Sequence, residues 1–392
     1  MSKKKQKSFL GVVLKIAEVC NIDCTYCYMY HSGDDTWKNR PKYISKDVIR
    51  QVALFLKQGI EDLGLDVLTI ELHGGEPLML KKADFNWMCH YFRQELGQIV
   101  ELDIIIQTNA ILLDNGWIEI FCQHRIDVGV SVDGPKIIHD KHRLDKRGRG
   151  TYDRVVEKLK LLRENAEYKK ISTVGILGVI NPEHSAQEIY YHFTRELGVT
   201  HFDLLLPHYN YKNPPPFKKG QLAKFLCELF DAWTGDDNPK INIRFFASLL
   251  RMLRGLNSCV YGLGTLREDS NHLVSIASNG DLSPTDELRA TDNRISFFGD
   301  TVFNKTLKSF LENPVFTELR SALSELPKQC KSCCWQNICH GGFIVHRYSQ
   351  ETGFHNPSIY CEDLKEIYAH IVGYAVNNGY PLDRIMNNLD VN

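Results

Sequence analysis

The stretch CNIDCTYC, residues 20–27, follows a short apolar run at residues 11–16 and sets three cysteines at CxxxCxxC spacing. Three thiolates are an odd donor set for zinc, which prefers four protein ligands or three ligands and a water. They suit a [4Fe–4S] cluster, which cysteine thiolates hold, and one iron then stays open for a small molecule. The predicted metal ligands are therefore Cys20, Cys24 and Cys27. The alternative is three unrelated, buried cysteines.

Length, charge and cysteine content favour an intracellular enzyme. The 392 residues can form a large domain and a smaller one, and the formal net charge of −1 indicates neither nucleic acid nor a membrane surface as a partner. No apolar run is long enough for a membrane-spanning helix, and Lys15 and Glu18 interrupt the run that could mimic a secretion signal. Twelve cysteines without such a signal are more typical of metal ligands than of disulfides. We therefore expect a cytoplasmic protein.

Apolar runs of strand length alternate with amphipathic segments of helical period. The predicted strands are 11–17, 66–72, 102–106, 126–132, 171–180 and 200–206, and the predicted helices lie near 46–62, 82–96, 114–124, 151–166, 184–197 and 219–233. In the fourth helix Thr151 is a candidate N-cap, and Val155, Leu159 and Leu162 share one face. This alternation predicts parallel βαβ units, whose ligands bind at the carboxyl ends of the strands.

Short polar motifs follow three of the predicted strands. They are GGEP at residues 74–77, QTN at residues 107–109, and Ser131 with Arg143 shortly after it. Glycines let the backbone approach a ligand closely, a carboxylate can bind an ammonium group, and a guanidinium can bind a carboxylate through two hydrogen bonds. Taken singly, each motif could also be an ordinary turn, a cap or a surface charge.

A second set of cysteines occurs near the end of the chain. Cys330, Cys333, Cys334 and Cys339 precede Cys361, and four such thiolates could hold a second [4Fe–4S] cluster or a closed zinc site. Spacing alone does not separate these two, nor does it say whether Cys334 or the isolated Cys259 binds metal. The strand–helix pattern ends near residue 235. The predicted segments are a tail at 1–9, a first domain at 10–235, a linker at 236–258, a cysteine-bearing domain at 259–361 and a helical tail at 362–392.

These motifs together resemble the radical S-adenosylmethionine (SAM) superfamily, in which SAM chelates the open iron of the CxxxCxxC cluster. The resemblance implies an α/β fold with a partial (β/α)6 barrel. It also implies that SAM is bound by Tyr26, Gly74, Gly75, Glu76, Pro77, Gln107, Asn109, Ser131, Arg143 and Leu206.

The later cysteines resemble the SPASM domain, a loop-rich module with auxiliary clusters, which is followed here by a C-terminal helix. The resemblance implies one auxiliary [4Fe–4S] cluster on Cys330, Cys333, Cys339 and Cys361. Ligands of a second auxiliary cluster are replaced by Thr265, Thr285 and Phe343. We therefore expect SAM and two [4Fe–4S] clusters in total as cofactors.

The stretch between Cys339 and Cys361 is similar to the GGxxxHRYS…GFxNPSxYC signature of cyclophane-forming SPASM peptide maturases. That resemblance implies hydrogen abstraction from the β-carbon of a residue in a precursor peptide, followed by a bond from this carbon to a nearby aromatic ring. The implied partners are a precursor peptide with a leader and an electron donor such as flavodoxin or ferredoxin. Without the family, residues 346–348 would be a polar surface and residues 356–358 a turn.

Closing the reaction requires loss of a proton and an electron. Similarity to sulfatase-maturing relatives makes Asp286 the candidate base, whereas an exposed turn carboxylate or a helix cap is the alternative. Two other functions stay open. One is another SPASM modification, either thioether cross-linking or formylglycine formation in sulfatases, although the replaced ligands argue against the latter. The other is a zinc-stabilised binding protein without catalysis.

Overall fold

The computed structural model describes residues 7–260, 273–292, 295 and 299–389. The chain divides into two compact units. The first comprises residues 1–132, 139–174 and 271–317, and the second comprises residues 133–138, 175–270 and 318–392. The eleven strands in the described part are β1 Phe9–Ala17, β2 Ile22–Cys24, β3 Val67–Gly74, β4 Glu101–Thr108, β5 Ile126–Ser131, β6 Arg143–Asp145, β7 Gly175–Val179, β8 His201–Leu205, β9 Asn242–Ile243, β10 Leu273–Ile276 and β11 Leu282–Ser283.

The first unit is built on strands in the order β11-β10-β1-β3-β4-β5, and β2 pairs with β6 in a separate two-stranded sheet. The strands from β10 to β5 run parallel, whereas β10 and β11 are antiparallel. Eight of the nine residues of β1 are buried, as expected for a strand with neighbours on both edges and helices over its faces. The helices of this unit are Tyr28–His31, Lys46–Leu63, Lys82–Glu95, Asn115–His124, Tyr152–Glu164, Ala166–Lys169 and Leu307–Leu311, with 3-10 turns at Thr36–Asn39, Pro77–Met79 and Asp286–Ala290.

The second unit contains the parallel strands β7, β8 and β9. Its helices are Ala186–Tyr191, which continues as a π-helical turn over His192–Glu196, and then Gln221–Gly235, Arg244–Leu253, Lys328–Lys331, Gln336–Cys339, Cys361–Asn377 and Leu382–Met386, with a 3-10 turn at Ile344–Arg347. Two further helices, Lys136–His142 and Pro314–Ser324, contain the points at which the chain passes from one unit to the other. Asp363 caps the helix Gln221–Gly235, since its Oδ1 accepts hydrogen bonds from the backbone N–H groups of Gly220 and Ala223.

The predicted α/β fold class is confirmed, and all six predicted strands and six predicted helices are present. Two local predictions were wrong. The strand expected at 171–180 begins only at Gly175, because Asn165 caps the short helix Ala166–Lys169 just before it. Thr151 does not cap its helix; its hydroxyl donates to the Arg143 carbonyl, and Asp140 accepts the Tyr152 N–H instead.

Segments that the sequence assigns to different domains pair in one sheet. β10 lies within the predicted cysteine-bearing domain, yet Gly11 of β1 stands opposite Leu273 in the parallel register. Each compact unit is therefore made of segments that are distant in the sequence, and the order of the motifs along the chain does not define the units. The predicted domain boundaries stay a prediction. Across the part of the chain that the structure describes, no helix combines the length and apolarity needed to cross a membrane.

Candidate active site

The CxxxCxxC stretch forms a tight turn after β1. Cys24 lies at the end of β2, directly opposite Arg143 of β6, and the Cys27 N–H donates to the Cys24 carbonyl at 3.0 Å. Cys27 then precedes the short helix Tyr28–His31. Cys24 is buried, and Cys20 and Cys27 are half-buried. Burial raises the pKa of Cys20 to about 12, so the free thiol is protonated and metal binding would release its proton.

The two glycines of GGEP let β3 approach this turn closely. Gly74 has φ 136°, and a Cβ there would lie 2.0 Å from the Ala17 carbonyl oxygen. A Cβ on Gly75 would lie 2.4 Å from the carbonyl oxygen of Val19. The Gly75 and Glu76 N–H groups donate to these same two carbonyls, at 2.8 and 2.9 Å. Glycine is therefore needed at both positions to hold the cysteine turn against the end of β3.

The Glu76 carboxylate joins the ends of β3 and β4. It is 1% exposed and accepts hydrogen bonds from the Thr108 hydroxyl at 2.6 Å, the Asn109 N–H at 2.8 Å and the Leu78 N–H at 3.0 Å. Burial raises its pKa, and the hydrogen bond from Thr108 opposes that rise. The Asn109 amide in turn approaches Cys20, with 3.8 Å between Nδ2 and Sγ. The two motifs thus meet at the cysteine turn, at the carboxyl ends of neighbouring parallel strands.

The other predicted SAM contacts form two further pairs in the first unit. Gln107 donates from Nε2 to the Ser131 hydroxyl at 2.8 Å, which joins the ends of β4 and β5. Arg143 donates to the Tyr26 hydroxyl at 2.7 Å, beside the cysteine turn. Leu206 belongs to the second unit, where it is buried directly after β8. The role of each of these residues in SAM binding stays a prediction.

Asp286 lies inside the first unit and not on an exposed turn. It is 5% exposed at the start of the 3-10 turn that follows β11. The distance from its Oδ2 to Lys15 Nζ is 2.8 Å, and its Oδ1 accepts a hydrogen bond from Arg289 Nε, also at 2.8 Å. The Tyr28 hydroxyl donates to the same carboxylate. Because Tyr28 follows Cys27, this hydrogen bond joins the candidate base to the cysteine turn.

Electrostatics keep Asp286 ionised. Burial alone would raise the pKa of its carboxyl, but Lys15 and Arg289 outweigh burial and hold the pKa well below its usual range. Burial lowers the pKa of Lys15. A second ion pair, 2.7 Å between Arg289 Nη1 and Asp34 Oδ2, ties the group to the segment just beyond the cysteine turn.

Sequence reasoning treated Lys15 only as an interruption of an apolar run and missed Tyr28, Arg289 and Asp34. The signal was present in the strand, because a lysine within GVVLKIA has to be buried and therefore needs a carboxylate partner.

Two other titratable groups lie close to Asp286. Half-buried Glu287 has its pKa raised to about 7, by burial and then by the charge of Asp286. His73 stands opposite Lys15 in the β1–β3 register, and burial lowers its pKa to about 4, so its imidazole is neutral. A base that titrates near neutral pH is well matched to proton transfer, which makes Glu287 the alternative to Asp286.

The four predicted auxiliary ligands surround one cavity in the second unit. Cys330, Cys333, Cys339 and Cys361 line it together with Gln329, Trp335, Gln336, Gly341, Pro357, Ser358, Lys365 and Tyr368. Within the described residues, no three His, Cys, Asp or Glu side chains converge as they would on a single metal ion. Four cysteine thiolates around one cavity suit a four-iron cluster as well as a closed zinc site, so both alternatives stay open here.

The motif between Cys339 and Cys361 is a buried scaffold for these ligands. Arg347 is 0% exposed and donates to the carbonyls of Ala322 at 2.6 Å and Asn356 at 2.8 Å. The Asn356 amide donates back to the Arg347 carbonyl at 2.9 Å. His346 is also buried, so the interpretation of residues 346–348 as a polar surface was wrong. The conformation of this segment fixes where Cys339 and Cys361 stand.

The positions expected to lack ligands of a second auxiliary cluster are partly described. Thr285 is buried beside Asp286 in the first unit, and the Phe343 ring lies 5.6 Å from the His346 ring in the second. Thr265 lies outside the described residues. Cys259 and Cys334 are exposed, and neither lines the cavity.

Comparison with known proteins agrees with this geometry. Residues 14–189 match the family model of the radical SAM superfamily. A serine-type anaerobic sulfatase-maturating enzyme from Bacteroides thetaiotaomicron is 24% identical over 94% of this chain and 90% of its own length. A cysteine-type anaerobic sulfatase-maturating enzyme from Clostridium novyi is 27% identical over 92% of this chain and 95% of its own. A solved structure described as native anSMEcpe with bound AdoMet and Cp18Cys peptide has a TM-score of 0.79 at 23% identity, covering 97% of this chain and 99% of the other.

The part of the chain that matches the radical SAM superfamily, residues 14–189, contains the cysteine turn and the GGEP and QTN motifs, so the chain is similar to radical SAM enzymes in both fold and site. Its similarity to the sulfatase-maturating enzymes extends over nearly its whole length. SAM and iron–sulfur clusters are the cofactors that the match to the radical SAM family model implies for residues 14–189.

Proposed function

We propose that this enzyme removes two electrons from the β-carbon of a residue in a peptide or protein substrate. The observation that carries the proposal is the buried Asp286 carboxylate, which Tyr28 joins to the cysteine turn. SAM held beside a cluster on Cys20, Cys24 and Cys27 would supply, with one electron from an external donor, a 5′-deoxyadenosyl radical able to take a hydrogen atom from the substrate. The remaining carbon radical must then lose one proton and one electron.

In this proposal Asp286 takes the proton. Lys15 and Arg289 keep it ionised. Its Oδ2 already contacts Lys15 and Tyr28, whereas the contact described for Oδ1 is the one with Arg289, which leaves this oxygen a second lone pair for the proton. Its low pKa makes it a weak base, which suits a proton made acidic by the neighbouring radical. The electron needs an acceptor, and the four-cysteine cavity of the second unit would hold one.

The similar enzymes favour oxidation of a serine or cysteine side chain to formylglycine as the product. For serine, the β-carbon loses a hydrogen atom and the hydroxyl loses a proton, and the second electron leaves as the C=O bond forms. This proposal rests on the similarity to the serine-type and cysteine-type maturating enzymes.

A cyclophane cross-link is the second candidate. It is favoured by Thr285 and Phe343, which stand where ligands of a second auxiliary cluster would be. The signature between Cys339 and Cys361 supports it less than its sequence suggests, because its buried residues hold the cluster ligands in place. In that reaction a precursor peptide with a leader would be the substrate.

The test uses anaerobic, iron-reconstituted enzyme with SAM and reduced flavodoxin or ferredoxin, which we propose as the electron donor in a reducing cytoplasm. Two peptides are compared, one with a serine or cysteine in a sulfatase-type sequence and one with an aromatic-x-x motif. An aldehyde that a hydrazine traps supports side-chain oxidation, with loss of two hydrogens from serine, or with replacement of the cysteine sulfur by oxygen from water and release of hydrogen sulfide. Loss of two hydrogens without an aldehyde, and with a ring-to-β-carbon bond in fragment spectra, supports the cross-link. Release of 5′-deoxyadenosine with both peptides unchanged contradicts both candidates.

A further inference from the structure

One face of the C-terminal helix carries a cysteine, a lysine and a tyrosine that all reach the cavity of the second unit. Cys361, Lys365 and Tyr368 lie at positions i, i+4 and i+7 of the helix Cys361–Asn377, so they share a face over two turns. Cys361 is the first residue of this helix, where free N–H groups and the helix dipole favour negative charge. From the sequence, Cys361 was predicted as a cluster ligand, whereas Lys365 and Tyr368 lie in the predicted helical tail at 362–392 and had no predicted role.

The Tyr368 side chain lines the same cavity as the four cysteines. Tyr368 is 2% exposed, and its hydroxyl has no nitrogen or oxygen partner within the described part of the chain. Cys339 lines the same cavity, so a cluster held there would bring thiolate and sulfide acceptors next to this hydroxyl. A buried hydroxyl without a partner costs free energy, and a thiolate held in this cavity would satisfy it.

Lys365 adds a positive charge to the lining of the cavity, and the Gln329 amide adds a second hydrogen-bond donor. Gln329 Nε2 lies 3.8 Å from Cys361 Sγ. Lys365 lines the cavity with 35% of its side chain exposed, and its ammonium also donates to Glu362 at 3.0 Å. The cavity thus has donors and a cation beside its thiols, with one carboxylate at its edge that partly offsets the cation.

We propose that Tyr368 and Lys365 raise the reduction potential of the auxiliary cluster and so fit it to accept an electron. Reduction adds one negative charge to the cluster and its four thiolates. Hydrogen bonds to the sulfurs and a nearby ammonium stabilise that charge. A purely structural metal site would need neither. The acceptor role rests on the proposed function, whereas the effect on the potential does not.

The test is a redox titration of the reconstituted holoenzyme without peptide, followed by electron paramagnetic resonance. Signals of the auxiliary cluster are assigned by their persistence in a variant that lacks Cys20, Cys24 and Cys27. We expect K365M to lower the ratio of reduced to oxidised auxiliary cluster about tenfold at a fixed potential, a shift of about 59 mV for a one-electron couple. Y368F should shift the ratio in the same direction, because only the hydroxyl is lost.

Two matched variants separate this effect from general damage to the helix. E362Q removes the carboxylate that offsets Lys365, so the ratio should rise. Y374F also removes a tyrosine hydroxyl from this helix, six residues after Tyr368. The Tyr374 ring packs edge-on against Phe230, so Y374F should leave the ratio unchanged.

Unchanged ratios in both K365M and Y368F would overturn the proposal. Loss of about four irons from either variant would also overturn it, because the residue would then hold the site together instead of tuning it. Metal analysis that finds one zinc ion instead of iron at these cysteines would overturn the proposal as well. The redox titration contains no peptide, so unchanged ratios would not contradict the proposed peptide oxidation. Unmodified peptides in the activity assay would likewise not contradict the effect of Tyr368 and Lys365 on the reduction potential.

Discussion

At the scale of single residues, the Lys15–Asp286 ion pair is the main electrostatic feature of the first unit. Both side chains are almost completely buried, and Arg289 adds a second cation to the same carboxylate. Breaking a buried ion pair by removing one partner costs about 3–5 kcal/mol, because the other charge is left uncompensated. Such an arrangement is costly to maintain for packing alone. The hydrogen bond between Asp286 and Tyr28, which follows Cys27, is an argument for the proposed role of Asp286 as a base.

Replacing Asp286 by Asn should separate radical formation from product formation. Hydrogen abstraction precedes proton removal, so the variant should bind iron and release 5′-deoxyadenosine. Modified peptide should fall by about 10²–10⁴-fold, the usual contribution of a positioned base. Both products are measured by liquid chromatography and mass spectrometry of the same reaction.

Glu287→Gln is the matched control for this experiment. Its carboxyl follows Asp286 in the chain and has a pKa raised to about 7, by burial first. If Asp286 is the base, the Glu287→Gln variant should still form most of the modified peptide that the wild type forms. The opposite result, with normal product from Asp286→Asn and little from Glu287→Gln, would move the base to Glu287.

Replacing Lys15 by Met should change the pH dependence of the reaction. Burial tends to raise the pKa of Asp286, and Lys15 is the first of the groups that hold it down, so the variant carboxyl becomes protonated at higher pH. The acidic limb of modified peptide per 5′-deoxyadenosine should therefore move to higher pH. The pH at which the protein loses the stabilisation contributed by Asp286 should also move to higher values in Lys15→Met. In the wild type, the contribution of Asp286 is present above its unfolded pKa of about 3.9 and is lost as the pH falls through the lower folded value.

The pH profiles are compared with that of Lys38→Met. This lysine also pairs with an aspartate of the first unit, but its side chain is 54% exposed. Exposed pairs contribute little, so its profile should match the wild type. An unshifted acidic limb in Lys15→Met would show that Asp286 does not depend on Lys15 for its charge.

At the scale of elements, a glycine sets the contact between two helices of the first unit. Gly59 lies within the helix Lys46–Leu63, and Leu307, the first residue of the helix Leu307–Leu311, packs onto it. A Cβ at Gly59 would lie 2.4 Å from Leu307 Cδ2 and 2.8 Å from its Cβ. No side chain fits unless one helix moves.

Gly59→Ala should therefore destabilise the protein, even though alanine is the better helix former. Overpacking of this kind costs about 1–3 kcal/mol, against about 1 kcal/mol gained from helix propensity. Gly373→Ala is the matched control, because nothing lies within 4 Å of a Cβ at that helical position. The control should raise the midpoint of thermal unfolding and the Gly59 variant should lower it. A Gly59 variant that unfolds at a higher temperature than the wild type would contradict the packing argument.

The elements and the site were not equally predictable from the sequence. Strand and helix positions follow from apolar periodicity, and the meeting of GGEP with QTN follows from parallel strands. The strand at 171–180 was drawn too long because Ile171 extends the apolar run, whereas Tyr168 and the cap at Asn165 close a helical turn there. The partners of Asp286 are Lys15 of β1, Tyr28 directly after Cys27 and Arg289 of its own 3-10 turn, and no local pattern indicates that the first two segments meet the third.

At the scale of the whole molecule, each unit carries its own set of cysteines. Cys20, Cys24 and Cys27 belong to the first unit, and the four cavity cysteines belong to the second. The burial and hydrogen bonds described around one set involve residues of its own unit, including Asn109 beside Cys20 and Gln329 beside Cys361. We therefore expect each predicted site to hold its cluster independently of the other.

Replacing Cys20, Cys24 and Cys27 together by Ala should accordingly abolish SAM cleavage and leave iron bound. With one four-iron cluster in each unit, the wild type should contain about eight irons per chain and the variant about four. The matched variant replaces Cys330, Cys333, Cys339 and Cys361 instead, and it should also keep about four irons while still binding SAM. Iron and sulfide analysis after reconstitution gives the counts. About twelve irons in the wild type would show a second auxiliary cluster despite Thr285 and Phe343. An iron-free triple variant would show that the second unit does not hold a cluster by itself.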